Sequence, residues 1–239
     1  MESPAPRDQR DAARTIFTQQ WALYRRFVDA DYMSHRAFFG MLHDLVAART
    51  QGFSFLDLAS GDAFCSVDAL AGTTIADYTA VDLSEQALEL AAKNAVSLGC
   101  PFRVIAADFQ DFLEVPPRTW DVILIGFSLH HLVGEDKLTF ARKLRPAVAA
   151  KGEWIFFEPI LSGGESRASY LERWKGCLDR HWTGFSMDEK ALIWEHVSEC
   201  DYPESPERFE EIARRAGFSA CEHLSTDPYG FYCGFRAIA

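Results

Sequence analysis

Three aspartates close three apolar runs in this chain. Asp57 stands next to last in "FSFLDL", Asp82 ends "ADYTAVD" and Asp108 ends "FRVIAAD". Each run has the length and the β-branched or aromatic content of a buried strand. If the runs lie parallel in one sheet, the three carboxylates share its carboxyl edge, where open α/β sheets bind ligands. A carboxylate ending the second strand accepts from both hydroxyls of a ribose. Asp108, followed by Phe109, suits an exocyclic amine with an aromatic ring beside it. The set describes a pocket for an adenosine-like ligand. Any one of these aspartates could equally cap the next helix; three in order are more specific.

The stretch after the first strand, "DLASGDA", has the outline of a glycine-rich cofactor loop with one glycine, Gly61. A dinucleotide fingerprint needs Gly-x-Gly-x-x-Gly here. The chain reads Ala59-Ser60-Gly61-Asp62-Ala63-Phe64, and Asp57 and Asp62 would repel phosphates. A nicotinamide enzyme is therefore disfavoured.

The elements that position these residues follow from periodicity. Residues 1–10, with two prolines and mixed charge, read as a disordered tail. Residues 11–50 form a helical N-terminal arm, broken near Asp29–Asp31, with aromatic residues at three- and four-residue steps. Residues 51–239 then alternate strands and helices. "SEQALELAAKNAVSLG" is a helix capped by Ser84 and stopped by Gly99; "EDKLTFARKLRPAVAAKG" is a helix kinked or ended at Pro146. "WDVILIGFS" and "EWIFFEPI" are the fourth and fifth strands. Residues 161–204 break the rhythm and are too long for a simple connection, which predicts an inserted helical lid. After a helix at "SPERFEEIARRAGF", "SACEHLS" and "GFYCGFRAI" form a hairpin. The expected fold is α/β, a doubly wound, mostly parallel sheet with an antiparallel C-terminal hairpin strand.

In order and spacing these stretches resemble the motifs of the class I S-adenosylmethionine-dependent methyltransferases. "DLASGDA" is similar to the first motif, usually Asp-Leu-Gly-x-Gly-x-Gly. "AVDLSEQAL" resembles the second, "AADF" the third and "WDVILIGFSLHHL" the fourth. "LRPAVAAKGEWIFFEP" and "IARRAGF" with the final hairpin resemble the later regions. The resemblance covers about residues 53–238 apart from the insert, and implies a Rossmann-like fold with S-adenosylmethionine as cofactor. It implies that Asp57, Ala59, Ser60 and Gly61 hold the methionine part. Asp82 would bind the ribose, Leu83 would pack near the adenine, and Asp108 and Phe109 would hold the adenine edge. Phe127 or Ser128 would face the methionine moiety. Ala59 and Ala63 replace usual glycines, at small cost in ordinary αR or β geometry and at a cost in affinity otherwise.

Methyl transfer is an in-line displacement at an activated sulfonium, so alignment matters most. A base is needed only for a protonated acceptor. "SLHHL" places His130 and His131 over the sheet edge, and Glu158 ends the fifth strand; these are the candidate catalytic residues. No Asn/Asp-Pro-Pro-aromatic run follows the fourth strand, which disfavours methylation of a nucleobase amine. No carboxylate follows it directly, so the reaction is expected to be metal-independent. The arm and lid offer Tyr24, Tyr32, Arg36, Arg167, Tyr170, His181 and His196 as substrate-binding candidates.

Composition sets the remaining limits. With 24 Lys and Arg against 35 Asp and Glu, the net charge is −11, which opposes binding to nucleic acid or an anionic membrane. The six cysteines form no Cys-x-x-Cys pair and read as reduced thiols. The polar N-terminus has no signal-like apolar core. The expected protein is cytoplasmic, a monomer or homodimer, acting on a small-molecule acceptor without nucleic-acid or membrane partners. The alternatives are an S-adenosylmethionine-binding module that has lost catalysis, and a protein or RNA methyltransferase with an open groove.

Overall fold

The computed structural model describes residues 21–239, without the side chains of Trp21, Ala22 and Tyr24. The expected tail and the first part of the arm, residues 11–20, lie outside the described residues. The arm then forms α1 (Trp21–Ala30) and α2 (His35–Ala47), broken between them as its sequence predicts. Next come β1 (Phe53–Leu58), α3 (Phe64–Leu70), β2 (Ile75–Asp82), α4 (Glu85–Ala95), β3 (Phe102–Ala106), α5 (Phe109–Phe112) and β4 (Trp120–Gly126). The order continues with α6 (Asp136–Leu144), β5 (Val148–Pro159), α7 (Arg167–His181), α8 (Met187–Cys200), α9 (Pro206–Ala216), β6 (Ala220–Thr226) and β7 (Tyr232–Ile238).

The strands make one sheet in the order β3-β2-β1-β4-β5-β7-β6. β1 to β5 run parallel, and β7 enters antiparallel between β5 and β6. The order reverses at β1 and β4, so the loops leaving their carboxyl ends diverge and open a crevice. The strands carry apolar residues on both faces because helices cover both. Phe53 and Phe55 face α2, α3, α4, α7 and α8; Leu56 and Leu58 face α6 and α9.

Local chemistry accounts for most boundaries. The Ser84 hydroxyl accepts from the Ala87 amide 3.2 Å away, and Ser205 caps α9 in the same way. Gly99 and Gly217 close their segments in the left-handed conformation. α6 stops at Leu144 and a 3-10 turn carries Pro146, in keeping with a helix ended at that proline, but β5 already begins at Val148, ahead of the expected "EWIFFEPI". The one-turn α5 is too short to leave a helical period in the sequence.

The early start of β5 needs a bulge. Trp120 pairs with Val148, but Val122 pairs with Glu153, so residues 149–152 lie opposite Asp121 alone, a surplus of three. Gly152 sits in that bulge. A Cβ there would lie 2.9 Å from the Asp121 carbonyl oxygen and 3.0 Å from the Ala149 nitrogen. Backbone cannot yield as a side chain does. We expect Gly152→Ala to cost about 1–3 kcal/mol in urea unfolding. An unchanged midpoint would show that the bulge relaxes freely.

Candidate functional site

The turn after β1 folds back over the sheet edge. Ser60 N donates to Val81 O at 3.1 Å, and Gly61 N donates to Asp82 Oδ2 at 2.8 Å. The same carboxylate takes Ser84 N on Oδ1 at 2.8 Å, so Asp82 ties the two turns together. Ala59 (φ 53°) and Ala63 (φ 55°) are both left-handed, as is Gly61 (φ 54°). The two alanines thus occupy backbone where glycine is unstrained, at a cost of roughly 1–2 kcal/mol each. The Ala59 and Ala63 side chains stand at the cavity wall.

This turn, the β2 and β3 ends and the β4 exit enclose a cavity of about 220 Å³. Asp57, Ala59, Ser60, Gly61, Asp82, Leu83, Asp108, Phe109 and Phe127 all line it. Asp57 is buried and accepts from the Tyr78 hydroxyl at 2.7 Å. Burial pushes its carboxyl up to about 6, against the hydrogen bonds from Ser66 and Tyr78. Burial also raises Asp82, and the amides of Ser84 and Gly61 oppose the shift. Asp108 caps α5, accepting from Gln110 N at 2.8 Å, and still faces the cavity. Arg25 of α1 closes over the turn, 3.1 Å from Asp62 and with its guanidinium 4.1 Å from the centre of the Phe64 ring.

Phe127 and His131 line this cavity and a second one of about 80 Å³. The second is walled by Phe27, Trp174, Trp182, Ile193, Val197 and Tyr232, with His130, His196 and Asp201 also facing it. Its polar groups are tightly arranged. Glu158 Oε1 accepts from Ser128 N at 3.1 Å and Leu129 N at 2.8 Å, and Oε2 accepts from His130 N at 3.0 Å. His130 Nδ1 lies 2.7 Å from the same Oε2. Burial pushes Glu158 up to about 8, and these three amides pull it back. Burial holds both His130 and His131 well below the usual imidazole range, so both rings are neutral near pH 7.

The C-terminal end of α8 is fastened to this cluster. Tyr202 N donates to His130 O at 2.9 Å, and His131 Nδ1 lies 3.2 Å from Cys200 O. Buried Lys137 donates to Leu132 O at 2.6 Å and Tyr202 O at 2.8 Å. Asp201 is thereby set 3.5 Å from His130 Nε2. Burial raises its carboxyl well above the ordinary range.

Most substrate-binding candidates are elsewhere. Arg167 is turned to the carbonyls of Asp201 and Ser198, where it ends α8. Tyr170 is fully buried against Phe231, and the Tyr32 ring is stacked on Trp182 with its hydroxyl accepting from Gly184 N. Arg36 is exposed and bonded to Asp29 O; His181 is exposed beside Tyr229. None of these five lines either cavity, whereas His196 does. The Tyr24 side chain lies outside the described residues. Glu158 lines neither cavity and acts only through His130 and the β4 exit. Sequence reasoning missed Asp201 and the Arg25–Asp62 pair, because contacts between distant elements leave no local pattern.

Comparison with known proteins agrees with this geometry. Residues 55–152 match the family described as "Methyltransferase domain". No curated protein matches the chain. Three similar solved structures illustrate the fold. Burkholderia thailandensis 1,6-didemethyltoxoflavin-N1-methyltransferase, solved with 1,6-didemethyltoxoflavin and S-adenosylhomocysteine, is 18% identical with a TM-score of 0.67, over 100% of this chain and 92% of that one. The plantazolicin methyltransferase BpumL, solved with a triazolic desmethylPZN analog and S-adenosylhomocysteine, is 14% identical with a TM-score of 0.65, over 96% and 95%. The pyocyanin biosynthetic protein PhzM is 20% identical with a TM-score of 0.63, over 94% of this chain; the chain spans only 61% of PhzM's length. Identities this low establish the fold.

Two outcomes follow from the β1 turn. Ala59→Gly and Ala63→Gly relieve left-handed strain that exceeds the entropy glycine adds to the unfolded chain, so each should stabilise by about 0.5–1 kcal/mol in urea unfolding. Clear destabilisation would mean that the alanines are unstrained. Asp57 binds its proton more tightly folded (about 6) than unfolded (3.8). Its contribution is fully present below about pH 4 and is lost as pH rises through 6, about 3 kcal/mol in all. Asp57→Asn should flatten stability over that window; an equal slope in the variant would assign it to other groups.

Proposed function

Since the chain carries a methyltransferase domain of class I fold, we propose that it transfers a methyl group from S-adenosylmethionine to a small-molecule acceptor. One observation carries this reading: Asp57, Asp82 and Asp108, each at or just beyond a strand end, face one cavity beside a second, apolar one. In it Asp57 and the Gly61 turn take the cationic amino-acid part of the donor. Asp82 takes the ribose, with Leu83, Asp108 and Phe109 around the adenine. Phe127 stands between donor and acceptor.

An acceptor lone pair attacks the methyl carbon, the carbon–sulfur bond breaks, and sulfur keeps the electron pair as S-adenosylhomocysteine forms. The sulfonium is already a good leaving group, so the displacement itself calls for no metal. The protein's work is alignment, worth roughly 7–11 kcal/mol. A proton carried by the acceptor passes to neutral His131, which reaches both cavities, while Glu158 positions His130. The aromatic walls and small volume of the second cavity favour a compact aromatic acceptor with an acidic O–H or N–H, over a protein or RNA segment. The inserted helices supply half of those walls, which supports their reading as a lid. Among the described residues no helix is long and apolar enough to cross a membrane. A cytoplasmic monomer or homodimer completes the proposal.

Calorimetric titration with S-adenosylhomocysteine tests the donor site. Binding should weaken about 10–100-fold in Asp82→Ala, the loss expected for one charged hydrogen-bond acceptor. Unchanged affinity would remove Asp82 from the ribose, and no binding by the unaltered protein at millimolar ligand would overturn the proposal.

A further inference from the structure

We propose that His130, His131 and Asp201, with His196 beside them, bind a divalent transition-metal ion of the zinc type at the floor of the second cavity. One ligand atom from each of the first three lies within 4.8 Å of the others. An ion with bonds of about 2.0–2.1 Å holds tetrahedral ligand atoms about 3.3 Å apart. His130 Nε2 stands 3.5 Å from Asp201 Oδ1, and His196 Nε2 stands 4.0 Å from it. His131 Nδ1 stands 3.8 Å from the same oxygen, so forming a coordination shell draws these rings closer to Asp201 Oδ1 by about 0.2–0.7 Å.

The surroundings prepare the ligands. Metal-bound histidines commonly give their other ring N–H to a carboxylate or a carbonyl. His130 Nδ1 meets Glu158 at 2.7 Å, and His131 Nδ1 meets the Cys200 carbonyl at 3.2 Å. For His130 this leaves the lone pair on Nε2, the atom nearest Asp201, whereas His131 sets Nδ1 itself 3.8 Å from Asp201 Oδ1 and has Nε2 to offer an ion. An ion on His130 Nε2 would settle the hydrogen on Nδ1 and leave Glu158 ionised. The hydrogen bonds of Lys137 and Tyr202 fix the backbone on both sides, so assembling the shell orders little further chain.

Asp201 supplies the independent observation. Its Oδ1 is buried and accepts no hydrogen bond among the described residues. No Lys or Arg side chain among them hydrogen-bonds to the carboxylate; Arg167 is bonded to the Asp201 main-chain oxygen and acts on the carboxyl only at a distance. Imidazole rings face it at 3.5–4.0 Å, and a cation among them would satisfy a carboxylate that burial otherwise penalises. Imidazole donors select zinc-like ions over magnesium or calcium. The cavity of about 80 Å³ holds an ion and one or two waters, a water occupying about 30 Å³.

Resting on the reading of this cavity as the acceptor site, the ion would take the acceptor's O or N as its remaining ligand. The histidines then hold the ion, and the acceptor releases its proton to solvent as its O or N binds the ion. That revises the expectation of a metal-free site.

Chelator-treated protein titrated with Zn²⁺ and Co²⁺ near neutral pH tests this. We expect one ion per chain, visible d–d absorption of four- or five-coordinate cobalt, and proton release on binding. Asp201→Asn should abolish the cobalt spectrum, and Glu158→Gln should weaken binding about 10–100-fold. If Asp201→Asn misfolds by circular dichroism, His196→Ala serves in its place, with a changed cobalt spectrum expected. No stoichiometric ion in the unaltered protein, or cobalt spectra unchanged in the folded variants, would overturn the site. S-adenosylhomocysteine binding is measured in parallel: ion without donor would defeat the methyltransferase reading alone, and donor without ion the metal site alone.

Discussion

The Glu158 carboxylate is the constraint on which the second cavity depends. It sits at the end of β5 with no exposure to solvent and gathers the amides of Ser128, Leu129 and His130 together with the His130 ring. A buried acid is costly unless its oxygens are satisfied, and here the exit of β4 wraps around it to satisfy them. That wrapping gives the β4 exit its shape, including the left-handed Phe127 that stands between the cavities. It also aims His130 at the end of α8, so the position of Asp201 depends on it at one remove.

The first cavity is held by a similar device of opposite direction. There a carboxylate from one strand end, Asp82, fastens the turn that follows another, β1. Both devices turn a costly buried carboxyl group into a specified backbone path. They also explain why two alanines are tolerated at positive φ: the turn is fixed by Asp82, Val81 and Asn94, so its conformation does not rely on glycine.

What the sequence revealed follows from the range of the interactions involved. Asp57, Asp82 and Asp108 were legible because a strand's period and its polar end are local patterns. The hairpin, the Ser84 and Ser205 caps and the break in the arm were legible for the same reason. The left-handed backbone at Ala59 and Ala63 was not, since alanine carries no mark of its φ. Arg167 and Tyr170 were misassigned because a polar or aromatic residue on an amphipathic helix can face a cavity, a neighbouring carbonyl or the core. Asp201 escaped notice because it meets His130 only after residues 161–204 have folded back over β4 and β5. The bulge at Gly152 likewise depends on a register that only the paired strand reveals.

The two cavities also differ in where their walls come from. The first is drawn mainly from turns at the sheet edge, whereas half of the described wall of the second comes from residues 161–204, with α1 and Met33 adding more. A substitution at Trp182, Leu192 or Ile193 therefore reshapes one chamber and leaves the other's lining untouched. Under the proposed roles of the two cavities, such a division lets a lineage change what it modifies without relearning how it holds the reagent. Phe127 and His131, shared by both chambers, are the positions where that freedom ends.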